Sequence, residues 1–593
     1  MKTKYGKTYD TDDFMRRFAK VITAEIRANQ DFVGSYPDPC DRHQSGALPW
    51  KGSPLDFKRE WQLQNLLKRY RFKDDKYTDD ELKRMTFEKF IKLQETRSES
   101  VHRSAVVHAV LQKARLLIRE ILSDYDPEEH VLMCRHGKRA AKGVPASNAY
   151  LHEKMAHLSG TPEHIAWFMD VSQDDPHLLR ALDDCQAQVD VCYDLQYTTV
   201  PKSWKIFRGI VPNTVLGAYY SYGLGRVIQE RLRINARLDI RKLQQKHRKL
   251  CRSMSKTLKL VTADLSSASD SFTLALVNAL LPRKWFLAVK YGLTRHILHD
   301  DKRFYCSSFM LMGIGFTFPL QTLLFYAIIR AVQNLCGSSG LVSVYGDDLI
   351  YPTDIHKHVS YVLSALGFQL NMDKTFVDLP FRESCGADFF KGVDVRPFQP
   401  EGQHEVMVGL HYEAWLYKIY NGLTARWPGQ VLTRTKRFII LEILRCTTDL
   451  KLAANDAPDY SGLKGLEYKW YLPVNLLWCE DWQTIVCKNI VVRPVPKVLA
   501  RKFQSAYYWE HLRQADSRHR DEGDYGMVPI LTVRDGRFVL DDSKPGCSVT
   551  KHRKFSVQTS DGGTLPRDVL HVPLKGSSSI GCRWAHYDGS IEG

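Results

Sequence analysis

The sequence predicts an α+β fold built from several subdomains. Three observations predict it. A chain of 593 residues exceeds the roughly 250–300 residues at which a single core stops growing. Its composition, 44% hydrophobic and 25% charged, is that of an ordinary globular protein. In its middle, short β-patterned runs alternate with helical ones, which calls for a mixed sheet packed on helices.

Taken in chain order, the first hundred or so residues are charged and helical, with Asp79–Glu95 the clearest segment. Leu132 to Ala146 is a basic loop containing Cys134-Arg-His-Gly-Lys-Arg-Ala-Ala-Lys. Leu224 to Leu250 is a strongly basic helical run carrying Arg226, Arg231, Arg233, Arg237, Arg241 and Lys242. A charge run is usually a solvated face, but one sign throughout tilts this run toward phosphate contact. Leu258 to Asp264 alternates as a short strand. Phe316 to Val332 reads as a buried helix, and Leu341 to Tyr351 as strand, tight turn, strand. Val359 to Gly367 is an amphipathic helix that stops at a glycine. Helices are expected again around Ala414–Tyr420 and Thr435–Leu444. The tail after Ser517, rich in Gly, Asp and Arg, is expected to be partly loose.

The formal net charge is +17, which favours a polyanionic partner, nucleic acid first and an anionic membrane surface second. The 13 cysteines are odd in number and show no C-x-x-C spacing. That excludes a disulfide framework or a zinc ribbon and suits a reducing cytosol. Met1-Lys-Thr-Lys-Tyr-Gly has no apolar core and is no signal peptide. Phe309 to Ile329 carries no formal charge and is long enough to span a bilayer. Its glycines, Pro319, Gln321 and threonines point instead to a helix buried in a large protein, so no membrane is expected.

The most informative segment is Val342-Ser-Val-Tyr-Gly-Asp-Asp-Leu-Ile-Tyr-Pro352. Gly346 permits a tight hairpin turn between two apolar runs. Asp347 and Asp348 at its tip repel one another. At about 4 Å and an effective dielectric near 20 the cost is about 4 kcal/mol, and a divalent cation would reverse the sign. Asp264 ends the strand Leu258–Ala263. If the two strands are neighbours, Asp264 and Asp347 converge at one end of the sheet. A few carboxylate oxygens suit Mg²⁺, which keeps water and substrate phosphates in its shell. Two such ions clamp the attacking and leaving oxygens of an in-line displacement, the chemistry of nucleotidyl transfer.

Tyr345-Gly-Asp-Asp348 with Asp264 upstream resembles motifs C and A of RNA-dependent RNA polymerases. The surrounding text narrows the likeness. Asp264-Leu-Ser-Ser-Ala-Ser-Asp-Ser271, Gly315-Phe-Thr-Phe318, Phe381-Arg-Glu-Ser-Cys-Gly386 and Gly392-Val-Asp-Val-Arg-Pro-Phe398 resemble the replicase (beta) subunits of single-stranded RNA bacteriophages. So does Val200-Pro-Lys-Ser-Trp-Lys-Ile-Phe-Arg208. The likeness runs from about Val200 to Phe398, about a third of the chain.

The resemblance implies a right-handed polymerase with palm, fingers and thumb. It implies an N-terminal helical segment over 1–99, fingers over 100–254 and 283–305, and palm over 255–282 and 306–398 with the motif E hairpin. Thumb and C-terminal region follow over 399–593. It implies template-directed addition of ribonucleoside triphosphates to an RNA 3′ end, in the cytoplasm of a bacterial host. Two Mg²⁺ ions, or Mn²⁺ in their place, would sit on Asp264 and Asp347, with Asp348 a weaker or second ligand. Host elongation factors Tu and Ts and a ribosomal protein are the partners implied beside template and product RNA.

Other matched positions take roles from the same resemblance. Lys202, Lys205 and Arg208, on spacing alone a solvated basic loop, would line the nucleotide channel and hold the triphosphate. Lys374, in Asn371-Met-Asp-Lys-Thr-Phe376, matches the motif D position that would protonate pyrophosphate. Asp270 would read the 2′-hydroxyl, while its bland reading is a helix N-cap. Gly315 and Thr317 belong to motif B, where Gly315 would allow close backbone approach and Thr317 would sense the ribose. The chain departs from the family there. Ile314 stands where phage replicases carry Asn, and Pro319 and Gln321 stand where they carry acidic residues. Cys385 reads as a small buried thiol without chemistry. Two alternatives remain: a reverse transcriptase, against which the small Ser269 near Asp264 speaks, and a non-catalytic RNA-binding protein with a relic palm.

Overall fold

The computed structural model describes residues 7–28, 48, 50–95, 104–137, 139–453 and 455–464. Beyond them it describes the segments 476–479, 484–494, 497–498, 503–516, 530–534, 537–541, 572–573 and 578–586. Met1 to Gly6 and most of the tail after Ser517 lie outside the described residues.

At the centre lies the helix Thr317–Leu335, which takes in most of the uncharged stretch 309–329 and continues past it through Arg330. Leu320, Leu323, Leu324, Phe325 and Ile328 on it are fully buried. It packs against the helices Ala105–Leu122 and Val215–Asn235. Its apolarity is therefore spent on protein, and among the described residues no helix is long and apolar enough to cross a membrane.

Against this helix stands a three-stranded antiparallel sheet ordered Ser343–Tyr345, Asp348–Pro352, Leu260–Ala263. The pairing Tyr345↔Asp348 closes the hairpin around Gly346 and Asp347. The pairing Leu349↔Ala263 brings the end of the Asp264 strand level with the hairpin tip. A second hairpin, Phe381–Ser384 with Ala387–Phe390, turns through Cys385 and Gly386 at φ 52 and 69. The helix Pro54–Asn65 covers it, stacking Phe57 on Phe390 at 4.2 Å.

The helical expectations at Asp79–Glu95, Ala414–Tyr420 and Thr435–Leu444 fall on the helices Asp79–Glu95, Gly409–Arg426 and Thr433–Cys446. The expected 359–367 helix spans His356–Ala365, and Gly367 follows at φ 86. The basic run is not one helix. Val215–Asn235 ends, Arg237 turns at φ 55, and Ile240–Thr257 begins on Asp239, whose carboxylate accepts from the Arg241 N–H. An apolar periodicity that continues across the break hides such a turn in the sequence.

The helices of the first hundred residues join different cores. Thr11–Ala28 buries Phe14, Phe18 and Ile22 with Leu416, Tyr420, Ile439 and Ile443 of the 409–446 helices. Its preceding strand Thr8–Asp10 pairs with Val406–Val408. Asp79–Glu95 instead brings Phe90 into the central core. The far C-terminal helix Gln504–Asp516 returns to the helices of residues 151–184, where Trp509 Nε1 donates to Asp175 at 2.7 Å.

Candidate active site

Local chemistry builds the hairpin tip. Gly346 sits at φ 64, and a Cβ there would run into the Phe318 ring. The Gly346 N–H donates to Thr322 Oγ1 at 3.0 Å, which ties the turn to the central helix. Asp347 and Asp348 therefore project from a braced turn, one residue beyond the pairing that carries Asp264.

The three carboxylates feel one another. Burial, then the Asp264 charge, pushes the Asp347 pKa up. Burial, then Asp347 and Asp264, pushes Asp348 up to about 6. The donors to Asp348 are long and uncharged: Ser384 Oγ at 3.3 Å, the Cys385 N–H at 3.4 Å and Cys385 Sγ at 3.5 Å. Asp264 is held by Asn371 Nδ2 at 3.2 Å and Lys374 Nζ at 3.3 Å.

Sequence reasoning missed several members of this site. Glu383, on the second hairpin, lies 3.8 Å from Lys374 Nζ. Burial pushes it up to about 7 despite Lys374, and Asp388, Asp348 and Asp264 add to the rise. It is a fourth acid in the same field. Cys385 is half-buried rather than buried and its Sγ donates to Asp348, while burial and Asp348 push the thiol pKa up, so it stays a neutral thiol. Behind it, His247 joins Ser384 Oγ at 3.0 Å to Ser343 Oγ at 2.8 Å, and burial holds its pKa down to about 4, so the ring is neutral. Arg382 is fully buried, and its guanidinium donates to the carbonyls of Leu260, Val377, Leu379 and Phe381 at 2.5–2.8 Å. It sews the Asp264 strand to the second hairpin. The alternating pattern Phe-Arg-Glu-Ser marks a strand, but nothing in it says what that strand faces.

Cations ring the acids. Lys202 is on the strand Thr198–Ser203, and Arg208 and Lys205 are on or beside the paired strand Ile206–Ile210. Burial, then Arg208 and Lys374, lowers the Lys202 pKa, against the pull of Asp264 and Asp347. Lys68 is lowered by burial, then by Lys374, with Lys205 acting the same way. Lys374 is raised: burial opposes its charge, and Glu383 and Asp264 outweigh burial. The structure thus brings Lys202, Arg208 and Lys374 into one electrostatic neighbourhood with the carboxylates, while Lys205 acts on Lys68 and lies over the Trp204 ring.

The remaining expected positions are more peripheral. Asp270 lies in the turn Ser269–Ser271, and its carbonyl accepts from Ser308 Oγ at 2.6 Å. It is not the N-cap of the next helix. Thr273 caps Leu274–Leu280 by accepting from the Leu276 N–H. Thr317 is buried and donates to the Leu311 carbonyl at 2.8 Å, bracing the loop before the central helix. The Gly315 N–H donates to Ser221 Oγ at 3.2 Å, and a Cβ there would meet the Tyr222 nitrogen at 2.6 Å. That close approach is to the helix Val215–Asn235.

Among the described residues, the group whose ligand atoms lie within 4.8 Å of one another is Asp10, Asp12 and His404, not the carboxylates at the hairpin tip. Asp12 there already accepts from the Tyr70 hydroxyl and the Lys73 N–H. The hairpin-tip acids stand further apart than that. Their chemistry nevertheless fits a hard divalent cation. They offer oxygen donors only, and desolvation with mutual repulsion raises the proton affinity of Asp347 and Asp348.

A family model described as RNA replicase, beta-chain, matches residues 30–410. The RNA-directed RNA polymerase beta chain of Enterobacteria phage GA is 32% identical over 301 residues, 50% of this chain and 56% of that one. The RNA-directed RNA polymerase subunit beta of Qbeta virus (strain MX1) is 41% identical over 203 residues, 34% of each chain. The beta chain of Escherichia phage MS2 is 38% identical over 200 residues, 34% of this chain and 36% of that one. The matched stretch thus spans 34–56% of the length of these relatives. Among solved structures, an RNA-dependent RNA polymerase of a human picobirnavirus matches with a TM-score of 0.29 at 14% identity. It covers 42% of this chain and 61% of that one, a likeness too slight to define the fold.

Proposed function

The chain belongs to the RNA replicase beta-chain family, and from that premise we propose that it is an RNA-directed RNA polymerase that copies a single-stranded RNA phage genome from ribonucleoside triphosphates. One observation supports the reading above the rest. Strand register brings Asp264 beside Asp347 and Asp348, and burial with mutual repulsion raises the last two. A fold has no stability reason to gather like charges this way; a site that binds cations does.

Asp264 and Asp347 would hold Mg²⁺, with Asp348 as the weaker or second ligand. Bound there, the ions would neutralise triphosphate charge and favour ionisation of the attacking hydroxyl. Lys202, Lys205 and Arg208 bind and orient the triphosphate. Burial, then repulsion from Arg208 and Lys374, lowers Lys202, and a polyanion between these cations relieves that repulsion. Lys374 stays protonated between Asp264 and Glu383 and offers its proton to the departing pyrophosphate. Glu383 holds that ammonium in place. Asp270 reads the 2′-hydroxyl, and Thr317 and Gly315 keep the motif B loop in position.

The palm then comprises 255–282 and 306–398, the fingers 100–254 and 283–305, and the thumb the helices after 399. Because Thr11–Ala28 shares their core, we include it in the thumb. Purified chain, alone and with candidate host factors, should extend RNA on a structured RNA template with ribonucleotides in Mg²⁺. A preference for deoxynucleotides would make it a reverse transcriptase, and no Mg²⁺-dependent extension under any pairing would leave only RNA binding.

A further inference from the structure

The helix Ile240–Thr257 contains no acidic residue. Its inner side, with Leu243, His247, Cys251 and Met254 buried, packs against the two hairpins that carry the acids. Its outer side exposes Lys242, Lys246, Lys249, Arg252 and Lys256. At 3.6 residues per turn, Lys242, Lys246, Lys249 and Lys256 fall within an arc of roughly 80°, along about 21 Å of helix. They form a straight row on the side away from His247 and hence from Asp348.

The neighbouring cations of the same basic run are spent internally. Arg231 pairs with Glu129 at 2.6 Å, Arg233 with Glu230 at 2.7 Å and Arg241 with Asp239 at 2.9 Å. Among the described residues none of the four lysines forms an ion pair, and Asp239, whose charge Lys242 reaches, is already held by Arg241. Like charges at i,i+4 destabilise a helix, so this row carries a standing cost that an anionic partner would remove. A shallow open hollow of about 610 Å³ is lined by Lys242, Gln245, Lys246, Lys249 and Leu250, which gives an extended ligand a seat. The face presents no aromatic ring on which a base could stack and no carboxylate that could accept from one. Lysines act as point charges rather than as paired-donor readers of base edges.

We infer that the outer face of the 240–257 helix is a second RNA-binding surface, gripping the phosphate backbone of the template outside the catalytic cleft and without regard to sequence. The inference rests on the replicase reading for its choice of RNA. Its role is to retain a long template while the 3′ end is copied elsewhere on the protein.

The test uses the full chain with Lys242, Lys246 and Lys249 changed together to Ala, and a companion with all three changed to Arg. Binding of a long unstructured RNA is followed against salt, and synthesis is followed on a short template that reaches only the cleft. Each lost phosphate contact removes about 0.7 from the slope of log K against log salt for a single strand and about 0.9 for a duplex. The Ala variant should therefore lose about two to three units of slope and several-fold in affinity. Its short-template synthesis should be unchanged and its thermal midpoint no lower, because the repulsion within the row is relieved, and the Arg variant should keep the slope. An unchanged slope in the Ala variant overturns the surface, including the case in which an acidic protein is its true occupant. Should wild-type protein bind RNA yet synthesise nothing, the polymerase reading fails while the slope still decides this one.

Discussion

Glu442 is a buried carboxylate and Asp348 a half-buried one, and their surroundings are opposite. Glu442, between the N-terminal helix and the 433–446 helix, receives both arms of Arg17 at 2.9 and 3.1 Å and Arg445 at 3.0 Å. Burial pushes its pKa up, but the two arginines outweigh burial and hold it below the usual range. Asp348 receives only neutral donors at 3.3–3.5 Å and is flanked by two more acids. One region has closed its electrostatics within the protein, and the other has left them open. Closure stabilises the junction between the helices Thr11–Ala28 and Thr433–Cys446. Openness costs stability and leaves room for a cation and a polyanion, the pattern expected where function is bought with stability.

The sharpest way to break this contrast is at the centre of the open site. Asp347→Asn should lower nucleotide incorporation on the order of 10³-fold or more, as when an electrostatic element of a transition state is removed, while RNA affinity in a filter or anisotropy assay stays near wild type. Equal loss of both would mean misfolding and would erase the distinction between the regions. Lys374→Ala should come next, slowing single-turnover chemistry by about 10²-fold with little change in template affinity. A loss of affinity alone would make Lys374 a binding group.

Two smaller effects should have opposite pH signatures. Glu442→Gln removes a paired charge from the closed junction and should cost about 1–3 kcal/mol in denaturant unfolding at neutral pH. Glu442 is depressed on folding, so its contribution is present above the ordinary carboxylate range and is lost as pH falls below it. Asp348 is raised on folding, to about 6. The folded state then binds the extra proton, and metal-free protein should lose stability as pH rises from about 4 to about 6. Asp348→Asn should therefore raise the unfolding midpoint of metal-free protein at pH 8, by roughly 1–3 kcal/mol, and Mg²⁺ should stabilise wild type more than the variant. If both substitutions shift stability with the same pH dependence, the contrast is wrong. The smallest change expected is Cys385→Ala, which keeps the backbone N–H on Asp348 and should lower incorporation by less than about threefold, or about 0.6 kcal/mol.

Much of the site was legible before any coordinate. Gly-Asp-Asp between two apolar runs is a hairpin because only glycine accepts φ 64 against the Phe318 ring, and two adjacent acids at its tip need a cation wherever they are. The helix Asp79–Glu95 was placed at its observed bounds, and the one expected around Thr435–Leu444 proved to be Thr433–Cys446. Less legible were residues whose meaning depends on what lies across a gap. Glu383, Cys385 and Arg382 sit in a strand pattern that looks the same whether it faces solvent or Asp348. The break at Arg237 was hidden because apolar spacing resumes in phase after it, and Asp270 lost the capping role to Thr273, three residues on, by a local competition of hydroxyl and carboxylate.

By itself, then, the amino-acid order determined which groups bear charge, where the backbone turns, and the alternation that makes strands of 260–263 and 343–352. Those are short-range matters, settled by φ/ψ preference and by side-chain period. Only the tertiary structure decided that Thr11–Ala28 completes the core of the 409–446 helices, that one arginine sews four carbonyls together beneath the acids, and that the acids share a single field. The decisive contacts join residues far apart in the chain, and their energies depend on burial and on distance through space, neither of which is written in the order of residues along a chain.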